Sequence, residues 1–283
     1  MDADSLSIYL NKVREASPLV HSITNYVTVN DCANILLACG AAPVMSDDES
    51  DAPQITAISS ALNINIGTLN QHSIPAMFAS AKIARDKKIP ILLDPVGVGA
   101  TQMRNQTALE LLDHAKPQVV RGNASEIKSM ASILWEESPA GTTRGVDASL
   151  EDEITEENLD EACTFLKNLA KEWDCIIAIS GKIDLVSDYH KTYVIRNGHE
   201  MMSKITGSGC MLSALLAAFL GAAEGKHLEA AACAICMHGL AGEIAAARMG
   251  ELDGNSSYRN YLIDAIFNMD ELRFQEGAKY ECR

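Results

Sequence analysis

Short apolar runs alternate with longer stretches of helical periodicity along most of this chain. Apolar residues at Leu6, Ile8, Leu10 and Val13 predict a short amphipathic helix over 5–16, which Pro18 stops. Strands are predicted at 19–23, 42–45, 62–66, 89–93, 119–120 and 175–179. Helices are predicted at 29–39, with Gly40 as the stop, and at 74–87, around 109–114, at 124–134 and at 159–173. The runs 183–186 and 192–195 flank turn-forming residues and read as a hairpin. Residues 136–158 are acidic and rich in Gly, Ser and Thr, which predicts an exposed excursion. After Gly207 the pattern is almost entirely helical. Apolar strands alternating with helices imply an α/β fold with a mostly parallel sheet covered on both faces. No linker interrupts the pattern, so one domain over 1–283 is expected.

Composition narrows the function. The 283 residues are 47% hydrophobic, enough for a large core, and the formal net charge of −15 disfavours nucleic acid and anionic membranes as partners. An anionic ligand would need a local site of backbone N–H groups and a few basic residues. The start lacks a charged, then apolar, secretion signal, and the runs 211–223 and 230–235 are shorter than the roughly 20 residues that span a bilayer. Eight cysteines without framework spacing then suggest reduced thiols in the cytoplasm. Cys233 and Cys236 form a C-x-x-C inside an apolar helical stretch with no second ligand pair, which reads as core.

In open parallel sheets the ligand crevice lies beyond the carboxyl ends of the strands. Polar residues collect there: Asn25, Asp94, Arg121, Asn123 and Ser180. Asp94 precedes Pro95-Val96-Gly97-Val98-Gly99, a carboxylate and glycine loop that suit Mg²⁺ and phosphate, or equally a strand-capping turn. Asn123 and Glu126 have the spacing of a capping box. Arg121 is not explained by capping, and a guanidinium at a strand end suits nucleotide phosphates. His21 reads as a structural hydrogen-bonding residue, Lys182 as solvated, and Met201-Met202 as core or pocket lining. The densest signal is Thr206-Gly-Ser-Gly-Cys-Met-Leu-Ser, a glycine turn running into a charge-free helix. Its free N–H groups and the helix dipole favour an anion and would lower the Cys210 thiol pKa. Cys210 fits two roles: a covalent nucleophile needing a base, or a group beside the acceptor hydroxyl in phosphoryl transfer.

Several segments occur in the order found in the hydroxyethylthiazole kinases of the ribokinase-like superfamily, which this chain resembles. They are Pro18 to Val27, Gly40 to Met45, Leu93 to Ala100, Arg121 to Ile127, Gly145-Val146-Asp147, Ser180-Gly181 and Thr206 to Cys210. The resemblance implies a three-layer α/β/α fold and transfer of the γ-phosphoryl of ATP, with Mg²⁺, to 4-methyl-5-(2-hydroxyethyl)thiazole in thiamine salvage. It also implies a homotrimer with sites near subunit boundaries. It assigns the acceptor to Met45 and Gly207, ATP to Arg121 and Ser180, and Mg²⁺ to Asp94 and Glu126, directly or through water; from their places at the crevice and the glycine turn, Asn25 is expected with the acceptor and Asn123 and Gly209 with ATP. Cys210 stands where the wider superfamily carries an aspartate base. Two other readings fit the sequence: a kinase for another vitamin-precursor alcohol such as a hydroxymethylpyrimidine, and a Cys210-dependent hydrolase or acyl transferase.

Overall fold

The computed structural model describes residues 6–137 and 153–283. In chain order it runs α1 (Ile8–Ala16), β1 (Leu19–Ile23), α2 (Val29–Cys39), β2 (Ala42–Met45), α3 (Ala52–Ile58), β3 (Ala61–Asn65), α4 (Ser73–Lys87), β4 (Ile91–Asp94), α5 (Gln102–Ala115) and β5 (Val119–Asn123). It continues with α6 (Ala124–Glu137), α7 (Leu159–Trp173), β6 (Ile176–Ser180), β7 (Asp184–Ser187), β8 (Thr192–Ile195), α8 (Ser208–Gly221), α9 (His227–Arg248), α10 (Asn255–Phe267), α11 (Glu271–Gly277) and β9 (Tyr280–Cys282). A 3₁₀ turn at Glu200–Lys204 leads into the glycine turn.

The strands form one sheet in the order β2-β1-β3-β4-β5-β6-β7-β8-β9. The first six are mutually parallel, and β7 to β9 add antiparallel pairs. Strands β3 and β4 are buried along their whole length, as their apolar character requires in a sheet covered on both faces. One core lies between the sheet and α1, α2, α8, α9 and α10; the other lies under α4, α5, α6 and α7. The result is three layers, α/β/α. Helix α7 shows why the pattern was readable: Leu159, Ala162, Cys163, Leu166, Leu169, Ala170 and Trp173 recur at helical spacing and are all buried. Helix α8 is apolar on every side because it is buried on every side from Cys210 to Leu220.

The structure moves some expected boundaries and adds elements. Strands β3, β4 and β6 are shifted by one or two residues from the predicted spans. Helix α5 begins at Gln102, seven residues before the expected 109, because Thr101 caps it by accepting from the Arg104 N–H. The sequence pattern missed α3 and also β9, which ends the helical run after Gly207 by pairing with β8. The run 230–235 belongs to α9, a 22-residue helix with a mean hydropathy of 1.5 in its most apolar window. That helix is long and apolar enough to cross a membrane, contrary to the expectation from 230–235 alone, but 78% of the window is buried inside the protein. Cys233 and Cys236 lie on it, fully buried, and Cys236 donates to Asn197 Oδ1 at 3.2 Å, as a core pair would. All eight cysteines are free. The expected excursion over 136–158 and the Gly145-Val146-Asp147 match fall largely or wholly outside the described residues.

Candidate active site

Sheet register aligns the carboxyl ends of the parallel strands along one rim. Ser22 pairs with Met45, Asn65 with Asp94, and Asn123 with Ser180. The strand order reverses at β1, with β2 on one side and β3 on the other, and Asn25 follows β1 at this switch point, where open sheets place their ligand crevice. Helix α8 lies across β1, β3 and β4 and points its N-terminus at this rim. Gly207 precedes it with φ of 81°, the left-handed region, and a Cβ there would lie 2.2 Å from Thr28 Cγ2. Glycine is therefore required for the turn that directs the α8 N–H groups outward.

Asp94 closes the buried end of the site. It is 0% exposed; its Oδ2 accepts from Asn65 Nδ2 at 2.6 Å and Ser213 Oγ at 2.7 Å, and lies 3.6 Å from Arg121 Nη1. Its Oδ1 is buried with no partner. Burial pushes the carboxyl up to about 6, aided by nearby Glu126 and opposed by Arg121 and the two hydrogen bonds. Arg121 is 7% exposed and donates to Ser180 Oγ. Buried Asp184 caps the following turn by accepting from the Gly181 N–H at 2.8 Å, and burial pushes its carboxyl up to about 7. Arg121 thus lies in the field of two buried carboxylates.

Cys210 is 8% exposed, and its sulfur accepts from Asn65 Nδ2 at 3.3 Å, with Asn25 Nδ2 at 4.0 Å. The expectation of a lowered thiol pKa is corrected here. Burial and the Asp94 charge raise it, outweighing the hydrogen bonds from Thr28 and Asn65 and the Arg121 charge. Burial dominates, so the resting group is a thiol.

A cavity of about 690 Å³ adjoins these groups, lined among others by Arg121, Ser180, Asp184, Met202, Gly209 and His238. It accommodates a nucleotide-sized ligand. Burial pushes the His238 ring down to about 3, so it is neutral, and its Nε2 has no partner. Lys182 is exposed at the cavity rim.

The other expected residues are distributed as follows. Asn123 and Glu126 form the reciprocal capping box: Asn123 Oδ1 accepts from the Glu126 N–H at 2.8 Å, and Glu126 Oε2 accepts from the Asn123 N–H at 2.9 Å. Glu126 Oε1 accepts from the Gly97 N–H at 2.9 Å, tying the glycine loop to α6. Asn123 does not line the cavity. Met45 is half-buried at the end of the edge strand. Asn25 Oδ1 accepts from the Val27 N–H at 2.9 Å, leaving its amide facing Cys210. His21 bonds Thr56 and the Ser46 carbonyl, a structural role. Among the described residues no group of three or more His, Cys, Asp or Glu side chains could hold a metal by itself. An orphaned, buried carboxylate oxygen on Asp94 nevertheless suits a Mg²⁺ that takes its remaining ligands from water and phosphate.

A family model described as the hydroxyethylthiazole kinase family matches residues 10–271. The chain belongs to the hydroxyethylthiazole kinase family. It is 50% identical over 272 residues to a hydroxyethylthiazole kinase of Clostridium acetobutylicum, covering 96% of this chain and 97% of that one. The solved structure of the hydroxyethylthiazole kinase protein from Pyrococcus horikoshii superposes with a TM-score of 0.85 at 33% identity, covering 98% of both chains. A ribokinase-like superfamily protein from Enterococcus faecalis shares the fold alone, at 12% identity and a TM-score of 0.59, over 94% of this chain and 90% of that one. The ribokinase-like architecture expected from the sequence is therefore the one observed.

Sequence reading missed Asn65, Ser213, Asp184 and Thr28 as parts of this candidate site. Two signals were present. Asn63 and Asn65 alternate with Leu62 and Ile64 in a buried strand, and Ser213 sits three residues after Cys210 in a charge-free helix.

Proposed function

We propose that this protein transfers the γ-phosphoryl group of ATP to the primary hydroxyl of 4-methyl-5-(2-hydroxyethyl)thiazole, a step of thiamine salvage in the cytoplasm. Besides membership of the family, one observation carries the reading: Cys210, the α8 N-terminus, Arg121 and the unpartnered Asp94 oxygen converge beside a nucleotide-sized cavity. Phosphoryl transfer depends mainly on positioning and charge stabilisation, and this set supplies both. Arg121, Ser180 and Gly209 bind the ATP phosphates, with Asn123 at the edge of that site. Gly207 to Gly209 offer N–H groups to the charge that develops on the transferred group. Met45, Asn25 and Gly207 hold the thiazole alcohol. Cys210 orients that hydroxyl through its sulfur; being protonated it takes up no proton, and the hydroxyl proton passes to an oxygen of the transferred phosphoryl group. A protonated thiol supplies no general base, so its share in the rate is modest.

Asp94, and Glu126 through water, would hold Mg²⁺, which when bound neutralises phosphate charge. Residues 1–283 act as one catalytic domain, a reading supported by the single continuous sheet. A homotrimer with sites near the subunit boundaries fits the exposed Tyr26 and Val27, of which Tyr26 donates to Asp47, two residues past Met45. Against the covalent alternative, the side chains that hydrogen-bond Cys210 among the described residues are amides and a hydroxyl, none of them a base.

The test is incubation of the purified protein with ATP, Mg²⁺ and a panel of vitamin-precursor alcohols, following ADP and phosphorylated products by mass spectrometry. Product from the thiazole alcohol is expected. Product only from a hydroxymethylpyrimidine, or ATP-independent hydrolysis through a Cys210 adduct, would replace this substrate assignment.

A further inference from the structure

Asn65 ends the buried strand β3 and is 1% exposed. Its amide is fully committed. Oδ1 accepts from the Gly67 N–H at 2.8 Å, which fixes the orientation of the group and turns both Nδ2 protons toward the site. One proton goes to Asp94 Oδ2 at 2.6 Å and the other to Cys210 Sγ at 3.3 Å. A single rigid plane, anchored on the backbone, therefore joins a thiol to a carboxylate. Ser213, one helical turn after Cys210, donates to the same Asp94 oxygen at 2.7 Å. With Oδ2 occupied twice, Oδ1 is left as the free face of the carboxylate. A buried asparagine with every hydrogen-bonding group used is costly to replace and strongly specifies geometry.

We propose that Asn65 is a positioning residue for the transfer step: its amide holds the Cys210 sulfur in the direction of the acceptor hydroxyl and fixes the rotation of Asp94. This rests on the phosphoryl-transfer reading above. Asn65 touches neither substrate; it acts through Cys210 and Asp94. Loss of the amide leaves the thiol free to rotate and removes one of the two donors that orient the carboxylate. The rate of transfer then falls while binding of the alcohol, held by other residues, is kept.

The first assay is a double-mutant cycle on kcat and KM with Asn65→Ala, Cys210→Ala and the double variant. Asn65→Ala is expected to lower kcat about tenfold or more, the scale of a lost hydrogen bond to a charged or polarised group, with KM for the alcohol within about threefold of the parent. In the Cys210→Ala background the part of the effect that runs through the sulfur is gone and only the part through Asp94 remains, so Asn65→Ala should cost clearly less than in the parent. Independent, multiplying effects, or a rise in KM with kcat unchanged, would overturn the proposal, because a merely structural asparagine acts the same way in both backgrounds.

The second assay needs no substrate, nucleotide or Mg²⁺. Iodoacetamide labelling is followed peptide by peptide, with exposed Cys282 as the internal reference. Asn65→Leu keeps the bulk of the side chain and removes the donor. Labelling of Cys210 relative to Cys282 should change at least about threefold, as expected when a partner of the sulfur is removed. An unchanged ratio in both Asn65→Leu and Asn65→Ala would show that the amide does not govern the thiol. If the parent makes no phosphorylated alcohol, the substrate reading fails, and the labelling result still decides whether Asn65 holds Cys210.

Discussion

Gly209→Ala separates helix stability from phosphate binding. Gly209 lies in the first turn of α8, and a Cβ there would sit 2.7 Å from Arg121 Nη1 and 3.1 Å from Nη2. Ordinary contact begins near 3.4 Å, so the guanidinium must retreat by about 0.7 Å. An exposed arginine would give way cheaply. Arg121 is 7% exposed, bonded to Ser180 and drawn to Asp94, so it moves only by weakening those contacts. Alanine meanwhile gains up to about 1 kcal/mol of helix propensity over glycine. The helix gain and the weakened Arg121 contacts oppose one another, so the melting temperature should stay within about 2 °C of the parent's. The kcat/KM for ATP should fall about tenfold or more, corresponding to at least about 1.5 kcal/mol for a displaced charge-assisted hydrogen bond. KM for the alcohol should hold. Steady-state kinetics with each substrate varied, alongside a thermal melt, checks this. An ATP kcat/KM within about twofold of the parent would refute the role given to Arg121. A fall of several degrees in melting temperature would show instead that alanine damages the turn.

Cys210→Ser should lower kcat yet leave measurable turnover, and Cys210→Asp should remain active; loss of all activity in both would mean that the thiol is obligatory. Gly207→Ala combines a left-handed backbone, costing about 1–3 kcal/mol, with a contact to Thr28 Cγ2 at 2.2 Å. It should melt several degrees lower and lose most activity, and a melt unchanged from the parent would contradict the turn geometry. Asp184 supplies a pH test. Burial pushes its carboxyl from the ordinary 3.8 up to about 7, so the folded state holds its proton longer than the unfolded chain. That contribution to stability is complete below about pH 4 and lost as the pH rises through about 7. Asp184→Asn keeps the acceptor for the Gly181 N–H. In the ligand-free protein it should therefore melt above the parent at pH 8, with the advantage shrinking toward pH 5. A difference independent of pH would show that the carboxyl is not perturbed.

Sequence periodicity was sufficient wherever one physical demand dominated. Helix α7 must bury one face, and the parallel strands must bury two, so their hydrophobic patterns announce them. The elements that went unseen lack such a demand. Helix α3 has only seven residues, and β9 has three and is stabilised by its pairing with β8 rather than by a pattern of its own. The site divides the same way. Arg121, Asp94, Ser180 and Cys210 were legible because each is a chemically capable residue at a strand end or helix start. Their interaction was not legible, because it depends on residues that look ordinary in one dimension. Asn65 lies inside what reads as an apolar strand, and Ser213 inside what reads as an apolar helix. The direction of the thiol shift failed for a related reason. A helix N-terminus is visible in sequence and favours a thiolate, but the depth of burial and the approach of Asp94 emerge only when β3, β4 and α8 pack together. Cys210 therefore operates as a buried, protonated thiol held by amides, and its contribution to phosphoryl transfer depends on how firmly Asn65 aims it.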